Sequence, residues 1–140
     1  MLKRLKLLRS NKGQATIELA IILPIILLLV MLIIYVGMFV FSKSVTVLSI
    51  HQGGREGQFI WHLDLSQDKK EERVRTIIRE SLSSLPNGSN SEISVYDDLQ
   101  GKITITVIYY FKMNLPFLED ITGYDAVPIR NQLVYRYTTK

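Results

Sequence analysis

GQATIELAIILPIILLLVMLIIYVGMFVF, residues 13–41, decides the architecture of this 140-residue chain. From Leu19 to Phe41 there are 23 residues without a charge, and only Pro24 and Gly37 are not apolar. At 1.5 Å per residue, a helix of that length is about 35 Å long and crosses a hydrocarbon core of about 30 Å. As the core helix of a soluble domain it would need apolar partners on every side. The rest of the chain is roughly 38% apolar, which is ordinary for a soluble domain and too little for that task. A cleavable secretory signal is normally shorter, about 7–15 apolar residues, and ends at a small-x-small site. Here Ser42 and Ser44 flank Lys43, and no alanine occurs between Ala20 and Ala126. The expectation is a retained membrane span, about residues 18–41.

Charge sets its orientation. The formal net charge is +4, but Lys3, Arg4, Lys6, Arg9 and Lys12 all precede Gly13 with no acid among them. The remainder is balanced, so no sustained basic face exists and nucleic acid is excluded as a partner. Five cations before the span against Lys43 alone just after it predict, by the positive-inside rule, a cytoplasmic N-terminus and an extracytoplasmic C-terminal region. Without cysteine there is no disulfide and no thiolate metal site.

Glu18 stands at the mouth of the span, between Ile17 and Leu19. A carboxylate in hydrocarbon costs a few kcal/mol unless it is paired. One reading leaves Glu18 at the headgroup boundary, in water, favourably placed near the positive end of the helix dipole. The other starts from its neighbourhood: a short basic leader, Gly13, then Gln14-Ala15-Thr16-Ile17-Glu18 and an uninterrupted apolar helix. This order resembles the class III signal of type IV pilins and pseudopilins. Within that superfamily, Gly13 through Pro24 is most similar to the TadE-like group of the tight-adherence (Flp, type IVb) pilus system. Leu19 departs from the phenylalanine common there, whereas Gly37 and Arg55-Glu56-Gly57 fit the group's pattern. The resemblance covers roughly residues 12–57 and implies several things. A prepilin peptidase would cut after Gly13 on the cytoplasmic side, removing residues 1–13 and leaving Gln14 as the new N-terminus. Glu18 would pair with the Gln14 ammonium of a neighbouring subunit, or of its own helix at i and i+4, and Pro24 would kink the helix as it packs. The implied partners are the lipid bilayer, the peptidase and other pilin or pseudopilin subunits, in a prokaryotic envelope.

The helix is expected to continue through Val45, Val47, Leu48 and Ile50 to about residue 52, with Gly53-Gly54 as a break. A head domain over 53–140 follows. Residues 67–84 read as a second helix, capped by Ser66 or Asp68, with Val74, Ile77, Ile78, Leu82 and Leu85 on one stripe. Lys69, Lys70, Arg73 and Arg75, interleaved with acids, read as its solvated face. Pro86 to Asn90 is a loop. Three strands come next: one around Ile93 and Val95, one with Ile103, Ile105, Val107, Tyr109 and Phe111 on a single face, and one from about Ile129 to Tyr137. Met113 to Val127 reads as a long connection that could contact a partner. The fold class is α+β: a long membrane helix extended into solvent, then a second helix packed on a small antiparallel sheet of about three strands.

His51 and His62 are 11 residues apart, with no metal-ligand spacing, nucleophile elbow or phosphate loop around them. His51 is expected on the helix extension and His62 beside Trp61. No catalytic residue, metal, cofactor or small-molecule substrate is therefore expected. The function that emerges is a minor pilin or pseudopilin. A signal-anchored scaffold or sensor explains the span equally well but not the glycine five residues before Glu18. A type II secretion or competence pseudopilin is the nearer alternative.

Overall fold

The computed structural model describes residues 11–112, 123 and 125–137, with backbone only at 11 and 12. Its elements in order are α1 (Asn11–Ile60), α2 (Gln67–Leu82), β1 (Glu92–Asp97), β2 (Lys102–Lys112) and β3 (Ala126–Arg136), with a 3₁₀ turn at Gly88–Asn90 before β1. The chain divides into two compact units, Met1–Met38 and Phe39–Lys140. In the first, the described side chains from Gly13 onward are exposed apart from Tyr35, and Pro24 lies within the helix.

The second unit is the α+β part expected from the sequence. Its sheet has the order β1-β2-β3, antiparallel throughout. Period-two alternation in β2 puts Ile103, Ile105, Val107, Tyr109 and Phe111 on the buried face. Val74, Ile78 and Leu82 of α2, with Leu85 just beyond it, form the helical stripe buried in the same core. Ser66 is the N-cap residue, but its side chain makes no capping bond; its carbonyl accepts from the amides of Lys69 and Lys70 at 3.0 and 3.2 Å. β3 begins at Ala126, earlier than the pattern of Ile129 to Tyr137 predicts. Pro128 sits in it opposite Tyr110, which an edge strand tolerates because proline has no amide to donate. Most of the expected connection, residues 113–122 and 124, lies outside the described residues.

One expectation for α1 is corrected. Gly53-Gly54 does not break the helix, which runs on to Ile60. The face it buries between Ser42 and Gly57 is also not its most apolar one: Leu48 is exposed, while Ser42, Thr46, Ser49, Ile50, Gly53, Gly54 and Gly57 are buried. The reason is close approach. A Cβ on Gly53 would lie 2.4 Å from Ile78 Cγ1, and one on Gly54 2.1 Å from Tyr135 Cε2. Two of the buried hydroxyls are satisfied within the helix, Thr46 Oγ1 donating to Ser42 O and Ser49 Oγ to Val45 O, each at 2.8 Å, and the Ser42 side chain bonds Tyr109. Phe39 completes the line with an edge-to-face contact on Phe111, ring centroids 5.7 Å apart.

This packing decides the sign of a simple test. Alanine in place of a helical glycine ordinarily gains about 1 kcal/mol. At Gly53 the added methyl meets the buried Ile78, and overpacking of a filled core costs about 1–3 kcal/mol. Gly53→Ala is expected to lower stability in denaturant titrations of the full-length protein followed by Trp61 fluorescence. Unchanged or raised stability would show that the helix has room there.

Candidate functional site

Four residues carry the expected processing and assembly role, and all lie on α1. Gly13 is exposed, with nothing within 4 Å of a Cβ placed on it. Gln14 and Glu18 are both exposed one turn apart, and Gln14 Nε2 donates to Glu18 Oε1 at 3.2 Å. Gln14 and Glu18 thus already meet at the i, i+4 spacing that would join a Gln14 ammonium to Glu18 on one helix, here through an uncharged amide donor. Pro24 follows at the end of the next turn and a half. From Ile17 to Phe41 the large apolar side chains are at least 41% exposed, except the half-buried Tyr35 and Phe39. A helix this apolar and this uncovered meets the length and composition of a membrane span, and it fits a single-pass anchor.

In the compact unit, polar side chains converge on Asp97 at the end of β1. Trp61 Nε1 donates to Oδ2 at 2.7 Å, and the Tyr137 hydroxyl lies 2.8 Å from Oδ1. The Leu99 amide donates to Oδ1 at 3.0 Å and Gln67 Nε2 to Oδ2 at 3.4 Å. Burial pushes the Asp97 carboxyl up, but these donors outweigh it and hold the group below its ordinary value. Burial, then the bond to Asp97, pushes the Tyr137 hydroxyl up to about 12. One carboxylate so ties the end of α1, the start of α2 and the residue just after β3. Its surroundings are those of a structural clamp, since every donor is a fixed protein group. Lys70 Nζ adds a bond to the Trp61 carbonyl at 3.3 Å.

The histidines do not meet. His51 is on α1, as expected, with Nδ1 2.7 Å from the Tyr135 hydroxyl. His62 is exposed in the turn after α1, not packed beside Trp61. Among the described residues no group of three or more His, Asp or Glu side chains is arranged to hold a metal ion. The charged face of α2 carries only shallow depressions, lined by residues such as Lys69, Glu72 and Arg73. The sequence reading missed the Asp97 clamp altogether. Its only local signal is Asp97-Asp98 ahead of Gly101, which marks a turn and says nothing of Trp61 or Tyr137.

The model of the TadE-like protein family matches residues 13–55, so the N-terminal segment of this chain is TadE-like. The match begins at Gly13, takes in Glu18, Pro24 and Gly37, and ends on Arg55 within α1. It connects the chain with pilus-associated membrane proteins, a structural and not an enzymatic group. No curated protein and no solved structure matches.

The clamp predicts a stability profile with two edges. Folding favours ionised Asp97, so its contribution is complete above the ordinary carboxylate pKa near ~4 and is lost as the pH falls toward the lowered folded value. Folding favours protonated Tyr137, so that contribution is complete below ~10 and is lost as the pH climbs to about 12. Trp61, the only tryptophan, reports both. Asp97→Asn is expected to cost about 1–3 kcal/mol by leaving donors unmatched, and to flatten the acid edge. A variant that titrates like the parent would remove Asp97 from this role.

Proposed function

We propose that the protein is an assembly subunit, a minor pilin or pseudopilin of a tight-adherence pilus or related secretion apparatus, made as a precursor and processed after Gly13. The observation that carries the reading is the coincidence, inside one TadE-like segment, of an open glycine, a carboxylate five residues on, and an apolar helix whose described aliphatic side chains are exposed. In this reading the leader's cations hold the N-terminus in the cytoplasm, and the peptidase cuts between Gly13 and Gln14 at the membrane surface. Glycine there leaves the scissile carbonyl unshielded. Cutting replaces a peptide bond by an ammonium one turn before Glu18.

Both charges then face desolvation as helices pack. A carboxylate of one subunit paired with the amine of the next offsets a cost that neither bears alone in a medium of low dielectric. Because the pair forms at one axial stagger only, Glu18 selects register. The folded α+β part supports a minor subunit over a major one, whose chain would be little more than the helix.

Intact-mass measurement of the membrane-extracted protein, with and without a co-expressed prepilin peptidase, tests this. The expected species begins at Gln14, depends on the peptidase and is lost when Gly13 is replaced by a bulky residue. Glu18→Gln should be cut normally yet fail to join assemblies. A chain that keeps residues 1–13 beside an active peptidase would leave a signal-anchored scaffold, with Glu18 as a boundary residue.

A further inference from the structure

The sheet has two outer edges that no strand pairs among the described residues, one from β1 and one from β3. Both strands run antiparallel to β2 and so parallel to each other. The ladder determines what each edge offers. Asp98 N donates to Lys102 O at 3.1 Å, so even-numbered residues of β1 bond β2, and Ile93 and Val95 turn their amides and carbonyls outward. Tyr137 N donates to Gly101 O at 2.9 Å, so odd-numbered residues of β3 bond β2. Arg130, Gln132 and Val134 then present theirs to the free edge. Arg136 belongs to the same set, and its carbonyl accepts from Gln58 Nε2 at 2.8 Å, which closes that end.

We propose that the β3 edge of one molecule pairs in parallel with the β1 edge of a second copy, continuing the sheet from subunit to subunit. The sheet's own register supplies the argument. Glu92 shares a row with Arg130 through Ile108, and Asp98 shares one with Arg136 through Lys102. A copy displaced along the hydrogen-bonding direction without slip therefore sets Glu92 beside Arg130 and Asp98 beside Arg136. Between these charge pairs fall Ser94 beside Gln132, and Tyr96 beside Val134, which are 67% and 56% exposed in the single chain. Neither arginine has an ion-pair partner among the described residues. The rows of Glu92, Ser94 and Tyr96 lie on the solvent face of the sheet, with Glu92 Oε1 also accepting from the Tyr110 hydroxyl; Asp98 lies in the turn just beyond β1, where Oδ1 accepts from the Gln100 and Lys102 amides, so its pairing with Arg136 falls to Oδ2.

The backbone agrees with the side chains. In a parallel ladder a residue bonds the two neighbours of the one opposite. Gln132, opposite Ser94, would give its amide to the Ile93 carbonyl and take the Val95 amide, the groups that β1 turns outward. A slip of one residue reverses the faces, and a slip of two separates the charges. The contact uses different surfaces on the two partners, so it does not close into a dimer and propagates as an open array. It goes beyond the proposed function and holds whether or not Gly13 is cut.

The absence of cysteine makes the test direct. Within one molecule Ser94 and Gln132 stand two strand spacings apart, about 9.6 Å, beyond the reach of a disulfide. Full-length S94C/Q132C in membranes, mildly oxidised, is expected to give dimers and higher multiples. Co-expressed S94C and Q132C single variants should give a dimer, and either alone should stay monomeric. R130E should reduce the cross-linked fraction several-fold, and E92K together with R130E should restore it. Cross-linking of S94C or Q132C alone would replace this arrangement by a two-fold one. No cross-link, with Trp61 fluorescence showing a folded chain, or a yield indifferent to R130E, would overturn it.

Discussion

The close approach of α1 to α2 and β3 is the constraint on which the compact unit depends. Ordinary helix packing leaves room for side chains on both partners, but here Gly53 and Gly54 leave room for none: Ile78 and Tyr135 occupy the space their Cβ atoms would take. The upstream turns follow the same rule with Ser42, Thr46 and Ser49, small residues: the hydroxyls of Thr46 and Ser49 bond their own helix, and the Ser42 side chain bonds Tyr109. The result is a helix that can be apolar all round where it meets lipid and small where it meets protein. A uniformly aliphatic helix would satisfy the first environment and be too wide for the second.

The Asp97 clamp belongs to the same design. Once α1 runs past Gly54 to Ile60, Trp61 arrives where its indole can donate to the end of β1. Tyr137 closes the carboxylate from just beyond β3, and Gln67 from the start of α2. A core of this size has little stability to spare, and one ionised group satisfied by four donors joins the helix ends to the sheet without adding area. Among the described residues no further strand pairs either sheet edge, which suits a subunit completed by its neighbours.

In the proposed role, the two ends of the molecule recognise copies of it by different chemistry. The helix uses a single charge pair in a medium where an unpaired charge is costly, so it discriminates register strongly. The sheet edge uses backbone bonds and a pattern of four side-chain rows in water, where each row contributes modestly and the pattern as a whole discriminates. Together they would specify an axial step and a lateral neighbour.

The span, the second helix, the inward face of β2 and the Gly13–Glu18 spacing were legible in the sequence, because each is a local pattern: an uncharged run, a 3.6-residue stripe, a two-residue alternation, a fixed offset. The TadE-like match falls on that segment for the same reason. What was not legible is what distant residues do to one another. Gly53-Gly54 reads locally as a break, since glycine is a poor helix former, and only the presence of Ile78 and Tyr135 turns it into a contact. Leu48 is exposed while Ser49 beside it is buried, a choice made by the surfaces that meet α1 and not by hydropathy. Asp97 is an unremarked turn residue until Trp61 and Tyr137 reach it from 36 and 40 residues away. Periodicity, charge and offset are properties of neighbouring residues and survive in the sequence; fit is a property of surfaces that come together only when the chain has folded.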